Sequence, residues 1–198
     1  MMTELFDGIG ADAPTLARLH ARLERAAHDA GLLDVAYRTH DTTVGRLLLA
    51  ATPVGLVRVA YIDRSGMDGE LAGLAQRISP RVLHAPGRLD AAVAEIDEYL
   101  AGRRTRFDLN LDLRLTDGFR RRVVDELRHI EYGHRASYAH IAAAVGSPKA
   151  VRAVGSACAR NPLPLVIPCH RVVRTDGSIG QYAGGSAAKA TLLALEAD

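Results

Sequence analysis

The chain has 198 residues, 48% of them hydrophobic and 24% charged, a balance that suits a globular protein with a sizeable core and excludes a disordered or collagen-like chain. The net charge of +2 names no partner, yet residues 116–198 carry eleven Lys/Arg against seven Asp/Glu, so that part is net +4 and the rest net −2. This asymmetry permits a polyanionic partner, and a solvated basic face accounts for it as simply. The two cysteines, Cys158 and Cys169, lack CxxC or Cys/His metal-finger spacing, which argues against a disulfide framework or a structural zinc and for a reducing compartment. Residues 1–12 carry Glu4, Asp7 and Asp12 and no apolar signal-peptide core, and no stretch reaches the roughly 18 apolar residues of a membrane span. The expectation is a cytoplasmic protein that does not engage a membrane.

Over residues 13–33, Leu16, Leu19, Leu23, Ala26, Ala27 and Ala30 recur at helical spacing with Gly31 as a stop, which predicts an amphipathic helix packed on its own domain. Residues 35–40, 44–51 and 55–62 are β-prone runs separated by turn-forming residues, the spacing of a three-stranded antiparallel meander. A helix over 69–78, a short strand over 81–84 and a helix over 89–100 complete a small α/β unit. Residues 102–106 break the pattern, and the alternation of Phe107, Leu109, Leu111, Leu113 and Leu115 with polar residues predicts an extended linker. The division is therefore an extension over 1–34, an α/β domain over 35–101, a linker over 102–116 and a mainly helical domain over 117–198, with helices over 117–128, 137–145 and 148–159.

Within the second domain, Gly146 ends one short helix and Ser147-Pro148 offers an N-cap and first-turn proline for the next, the plan of a helix-turn-helix. The second helix is rich in small residues, Ala150, Ala153, Gly155, Ser156 and Ala157, which let a backbone approach another surface closely. A helix pair packed in a core fits the segment equally well. Lys149 and Arg152 add a tilt toward phosphate contact.

The most informative stretch is residues 161–173, where three prolines and an apolar run deliver Cys169 beside His170. A thiol of ordinary pKa is only a few per cent ionised near neutrality, so a nucleophilic cysteine needs a base or a positive field, and His170 and Arg171 are adjacent. An isolated cysteine in an apolar run is more often a small buried hydrophobe, and Cys158 reads that way. The scattered histidines of the first half have no cysteine near them in sequence and read as solvated or core residues.

Ser137-Tyr138, Arg152-Ala153-Val154-Gly155, Asn161-Pro162, Pro168-Cys169-His170-Arg171-Val172, Tyr182-Ala183-Gly184-Gly185, Lys189 and Leu192 to Glu196 together resemble, in order and spacing, the O6-alkylguanine-DNA alkyltransferases. The resemblance is close over residues 117–196. It implies an α/β fold of the α+β kind, with a ribonuclease-H-like first domain and a winged-helix-like second domain. It also implies an activity: irreversible, single-turnover repair of O6-alkylguanine, with O4-alkylthymine as a further candidate substrate, without cofactor or metal. Cys169 would accept the alkyl group, His170 would be its base through a bridging water, and Glu196 would orient His170. Asn161 would brace the site, Tyr138 would protonate the departing guanine, and Lys189 would polarise it.

The same resemblance makes Tyr182, Ala183 and Gly184 the wall of the base site. Arg152 would fill the gap left by the extruded nucleotide, and Ser137, Lys149, Ala150, Ala153, Gly155 and Arg171 would contact DNA through the minor groove. A base inside the duplex stack is beyond the reach of a buried thiol, so extrahelical capture is required. The implied partner is double-stranded DNA met by a monomer, with cooperative loading left open. Two positions depart from the pattern: Ala183 replaces a serine of some relatives, and Ala187-Ala188 precede Lys189 where many bacterial relatives carry a basic residue. Two rivals are a non-enzymatic DNA-binding module, either a damage sensor, against which the cysteine itself argues, or a regulator using the helix-turn-helix, and a cysteine hydrolase, which multiple turnover on an ester would reveal.

Overall fold

The computed structural model describes residues 12–197, so the absence of a signal-peptide core read from the first residues falls largely outside it. Helix α1 (Ala13–Asp29) leads into strands β1 (Val35–Thr42), β2 (Gly45–Ala51) and β3 (Leu56–Tyr61), joined by tight turns where the turn-forming residues between the β-prone runs predict them. A single helical turn, α2 (Ile62–Ser65), and helix α3 (Met67–Arg77) then carry the chain to β4 (Val82–His84). The sheet is four-stranded rather than three-stranded, in the order β3-β2-β1-β4, and β4 runs parallel to β1 with Val35 opposite Val82. Local turn signals define the antiparallel meander, whereas this pairing is set by a helical crossover to the far edge of the sheet.

After a short 3-10 turn at Pro86–Leu89, helix α4 (Asp90–Leu100) buries Ala92, Ile96 and Tyr99 along one face. Residues 102–116 are less free than a linker. Leu111 forms a parallel bridge with Leu56, and the Asp112 amide donates to the Leu56 carbonyl at 2.8 Å, so the segment lies along the edge of β3. Helix α5 (Gly118–Leu127) follows and buries Val123, Val124 and Leu127.

Strand β5 (Ala136–Ser137), helix α6 (Tyr138–Ala144), helix α7 (Val151–Ala159), strand β6 (Val172–Val173) and helix α8 (Gly185–Leu195) complete the chain. Ser137 caps α6 by accepting from the His140 amide at 3.0 Å. The end of α6 is a Schellman motif: Gly146 adopts φ 72°, its amide donates to the Ala143 carbonyl and that of Ser147 to the Ala142 carbonyl. The following helix begins at Val151, not at Pro148. The Ala150 amide donates to the Ser147 carbonyl, so Pro148 and Lys149 sit in a turn and Ser147 is no helix cap. Among the described residues no helix is long and apolar enough to cross a membrane.

One hydrophobic cluster runs through both halves, joining Leu47, Val59, Ile96 and Tyr99 of the first to Val123, Leu127, Ile141, Val154 and Leu192 of the second. Helix α1 stands outside it. His20 Nε2 lies 2.5 Å from the His84 carbonyl and Ala27 packs on a small cluster of Leu33, Ala36 and Ala85, but Leu16, Leu19 and Leu23 are 56%, 53% and 54% exposed. The helix therefore docks through His20 and Ala27, and its leucine stripe, expected to pack inward, faces solvent.

Truncating Leu127 to Ala should lower unfolding free energy by about 2–5 kcal/mol, whereas Leu19→Ser should move it by under about 0.5 kcal/mol. Denaturant unfolding of the two variants checks this.

Candidate active site

Cys169 is buried at the start of a 3-10 turn, Cys169–Arg171, that follows the proline-rich loop. Asn161 shapes that loop from within: its side-chain amide donates to the Ile167 carbonyl at 2.9 Å and its carbonyl oxygen accepts from the Leu163 amide at 3.0 Å. Leu165 between them takes φ 76°, a left-handed conformation that a non-glycine residue adopts only when its surroundings impose it. The sheet contributes as well, since the Val59 amide of β3 donates to the Pro162 carbonyl at 2.8 Å.

His170 is fully buried. Its Nε2 lies 2.7 Å from Glu196 Oε1 and 3.2 Å from the Tyr99 hydroxyl, while Nδ1 has no hydrogen-bond partner among the described residues. A carboxylate on Nε2 fixes the tautomer that carries its proton there and leaves Nδ1 bare, able to accept a proton. Glu196 is placed by the end of α8 and is buried, not frayed as a near-terminal residue would be. It accepts from Arg171 Nε at 2.8 Å and Nη2 at 3.0 Å, from the Gly133 amide at 3.2 Å and from the Tyr99 hydroxyl.

This gathering governs the protonation states. Burial alone would raise the Glu196 carboxyl, but the bonds from His170 and Arg171 outweigh it and hold the group at about 2. Burial pushes His170 below its ordinary 6.5, and Glu196 opposes that only in part. Burial pushes the Cys169 thiol up to about 11, against the pull of the Asn161 amide and the Lys189 ammonium. The resting state is therefore a neutral thiol beside a neutral imidazole, and a nucleophilic sulfur at this position would have to be generated by proton transfer rather than held as a resident thiolate.

Other expected site residues fall around this centre. Ser137 pairs with Val173 through the parallel β5–β6 ladder, which sets Tyr138, the first residue of α6, beside the segment that follows Cys169. Burial raises the Tyr138 phenol to about 12, so it is protonated near neutrality. The Lys189 ammonium donates to the Val172 carbonyl at 2.5 Å and lies 6.0 Å from the Tyr138 ring centroid. Tyr182 is buried with its ring edge-on to His170, at 6.0 Å, and Ala183 and Gly184 follow it at the N-terminal end of α8.

Arg152 and Ala153 are exposed on α7 and Gly155 is half-buried there, while Lys149 and Ala150 belong to the preceding turn. Arg171 departs from its expected place at a DNA surface. It is buried, paired with Glu196, and donates to the Ile130 carbonyl at 2.5 Å, because the carboxylate needs a counter-charge that water cannot supply there. Tyr99 and Tyr61 were not singled out by the sequence. Tyr99 lies on the buried stripe of α4, and a phenol at a core position signals a hydroxyl in need of a partner.

A buried cysteine next in sequence to a buried histidine–glutamate pair, beside a helix-turn-helix, marks the class of protein that sets a thiol against a nucleic-acid-binding element. Residues 35–113 match the family model of the 6-O-methylguanine DNA methyltransferase ribonuclease-like domain, and residues 118–198 match that of the 6-O-methylguanine DNA methyltransferase DNA-binding domain. The chain belongs to this family. It is similar to the methylated-DNA–protein-cysteine methyltransferase of Mycolicibacterium paratuberculosis, 39% identical over 82% of this chain and 92% of that one. It is also similar to the constitutive enzyme of that name from Bacillus subtilis, 38% identical over 81% of this chain and 94% of that one. A crystal structure of Mycobacterium tuberculosis OGT in complex with DNA superposes with a TM-score of 0.72 at 36% identity, covering 82% of this chain and 92% of that one.

Two outcomes check the electrostatics. Arg171→Met, which strips a buried carboxylate of its counter-charge, should cost about 3–5 kcal/mol in chemical unfolding. The lowered pKa values of His170 and Glu196 both mean stability that is complete above their ordinary values and lost on acidification. For His170 the loss begins as pH falls through 6.5, and for Glu196 it runs from 4.5 down toward about 2. Melting temperature measured against pH should fall through both windows, and Glu196→Gln should make the lower decline shallower.

Proposed function

We propose that this protein repairs DNA by taking an alkyl group from O6 of guanine onto Cys169. The thiol proton passes to Nδ1 of His170 through a bridging water, and the sulfur attacks the carbon attached to O6. The carbon–oxygen bond breaks, its electron pair stays on the guanine, and a proton from the Tyr138 hydroxyl neutralises the departing base. The product is a thioether, a poor leaving group, so each molecule acts once. The observation that carries this reading is the bare Nδ1 of His170, with Nε2 tied to Glu196, in the residue next to a buried cysteine.

In the same reading Asn161 braces the loop, Lys189 polarises the base, and Tyr182, Ala183 and Gly184 wall its site. Arg152 enters the stack when the nucleotide leaves it, while Ser137, Lys149, Ala150, Ala153 and Gly155 lie along the minor groove, where small residues allow close approach. The partner is duplex DNA met by a monomer in the cytoplasm. Residues 35–101 and 117–198 are its two domains, joined by 102–116.

Protein mixed with duplex DNA carrying O6-methylguanine and digested with trypsin should gain one methyl group on the 161–171 peptide, saturating at one equivalent. Cys169→Ala should abolish transfer and keep duplex binding. Methylation of the 153–160 peptide would make Cys158 the acceptor, binding without any adduct would make the protein a damage sensor, and repeated turnover on a small ester would make it a hydrolase.

A further inference from the structure

Tyr61, the last residue of β3, reaches out of the sheet domain into the loop that precedes α8. Its hydroxyl hydrogen-bonds that of Tyr182 at 3.0 Å, and the two rings meet edge to face at 5.6 Å. Both residues are buried. The fit extends to the next turn of chain, where a β-carbon on Gly184 would stand 2.7 Å from the Tyr61 ring, so the loop has given up a side chain to admit the tyrosine. On its other side Tyr61 borders a cleft of about 250 Å³ with Arg64, Asn161, Pro164 and Ala183, and Asn161 is the residue whose side chain braces the loop leading to Cys169 through the Ile167 carbonyl and the Leu163 amide. Burial holds the Tyr61 phenol above its ordinary 10 although the Tyr182 bond pulls it down.

We propose that Tyr61 is a positioning and specificity-determining residue: it holds Tyr182 against the reacting centre and, with Ala183, limits the size of the group that Cys169 accepts. The proposal rests on the alkyl-transfer reading for the identity of that group. It makes the sheet domain part of the pocket, although every residue matched to the acceptor chemistry lies after residue 116. The Val59–Pro162 backbone bond two residues earlier in β3 anchors the same strand to the cysteine loop, so Tyr61 is held in place from both sides.

The test compares single-turnover rates on duplex O6-methylguanine and on free O6-benzylguanine for the wild type, Tyr61→Phe and Tyr61→Ala, with thermal unfolding as the check on folding. Tyr61→Phe keeps the ring and loses one hydrogen bond, so methyl transfer should slow about fivefold with little change in melting temperature. Tyr61→Ala removes a wall, and the benzyl-to-methyl rate ratio should rise at least about tenfold. In parallel, Cys169 is labelled with N-ethylmaleimide and with the larger N-pyrenylmaleimide, and the bulky-to-small ratio should rise in Tyr61→Ala as well. Equal change for both sizes in either assay, or no change in Tyr61→Phe, would overturn the proposal. Should the wild type transfer no alkyl group, the alkyl reading fails, and the maleimide ratio still decides the role of Tyr61.

Discussion

The Glu196 carboxylate ties together four stretches of chain that are far apart in sequence: α4 through Tyr99, the loop after α5 through Gly133, the cysteine turn through His170 and Arg171, and its own helix α8. Burying a lone carboxylate is prohibitive, and this one is tolerated because its oxygens are saturated and its charge is matched by Arg171. The same saturation limits how far Glu196 raises the basicity of His170. The imidazole stays neutral at rest with its proton on Nε2 and Nδ1 bare, and in the proposed reaction Nδ1 is where the thiol proton is accepted.

That arrangement explains the division of labour between the two halves. In the proposed reaction the helical part carries the acceptor, the base and the element suited to a groove, while the sheet part supplies supports: Tyr99 on the carboxylate, the Val59 amide on the Pro162 carbonyl, and Tyr61 against Tyr182. The continuous hydrophobic cluster across both halves gives these supports a rigid base. A site whose thiol is raised by burial depends on such rigidity, because the gain from proton transfer has to be realised at a fixed geometry rather than by a resident thiolate.

Much of the frame was legible. Periodicity located α1, α3, α4 and α5 to within a few residues, and turn chemistry at Gly146 located the end of α6. What failed shares a cause: β4 beside β1, the start of α7 beyond Pro148 and the outward leucines of α1 are each decided by partners distant in sequence or by a competing local turn. Helix α8 was read only as a string of matched residues, although Ala188, Leu192 and Leu193 lie on one buried side of it. In the site, adjacency of Cys169 and His170 was visible in one dimension, but the counter-charge role of Arg171 was not, since a basic residue beside a reactive cysteine reads equally well as a phosphate contact. Tyr61 and Tyr182 are 121 positions apart, and no pattern within either segment announces the bond.

The central claim is that Glu196 fixes the tautomer of His170 and leaves Nδ1 as the base. Nitrogen-15 NMR of imidazole-labelled protein at neutral pH tests it directly. The account predicts a neutral His170 with the proton on Nε2 and a bare Nδ1, and loss of that single tautomer in Glu196→Gln. A His170 that is protonated on Nδ1, or that is doubly protonated at neutral pH, would contradict it.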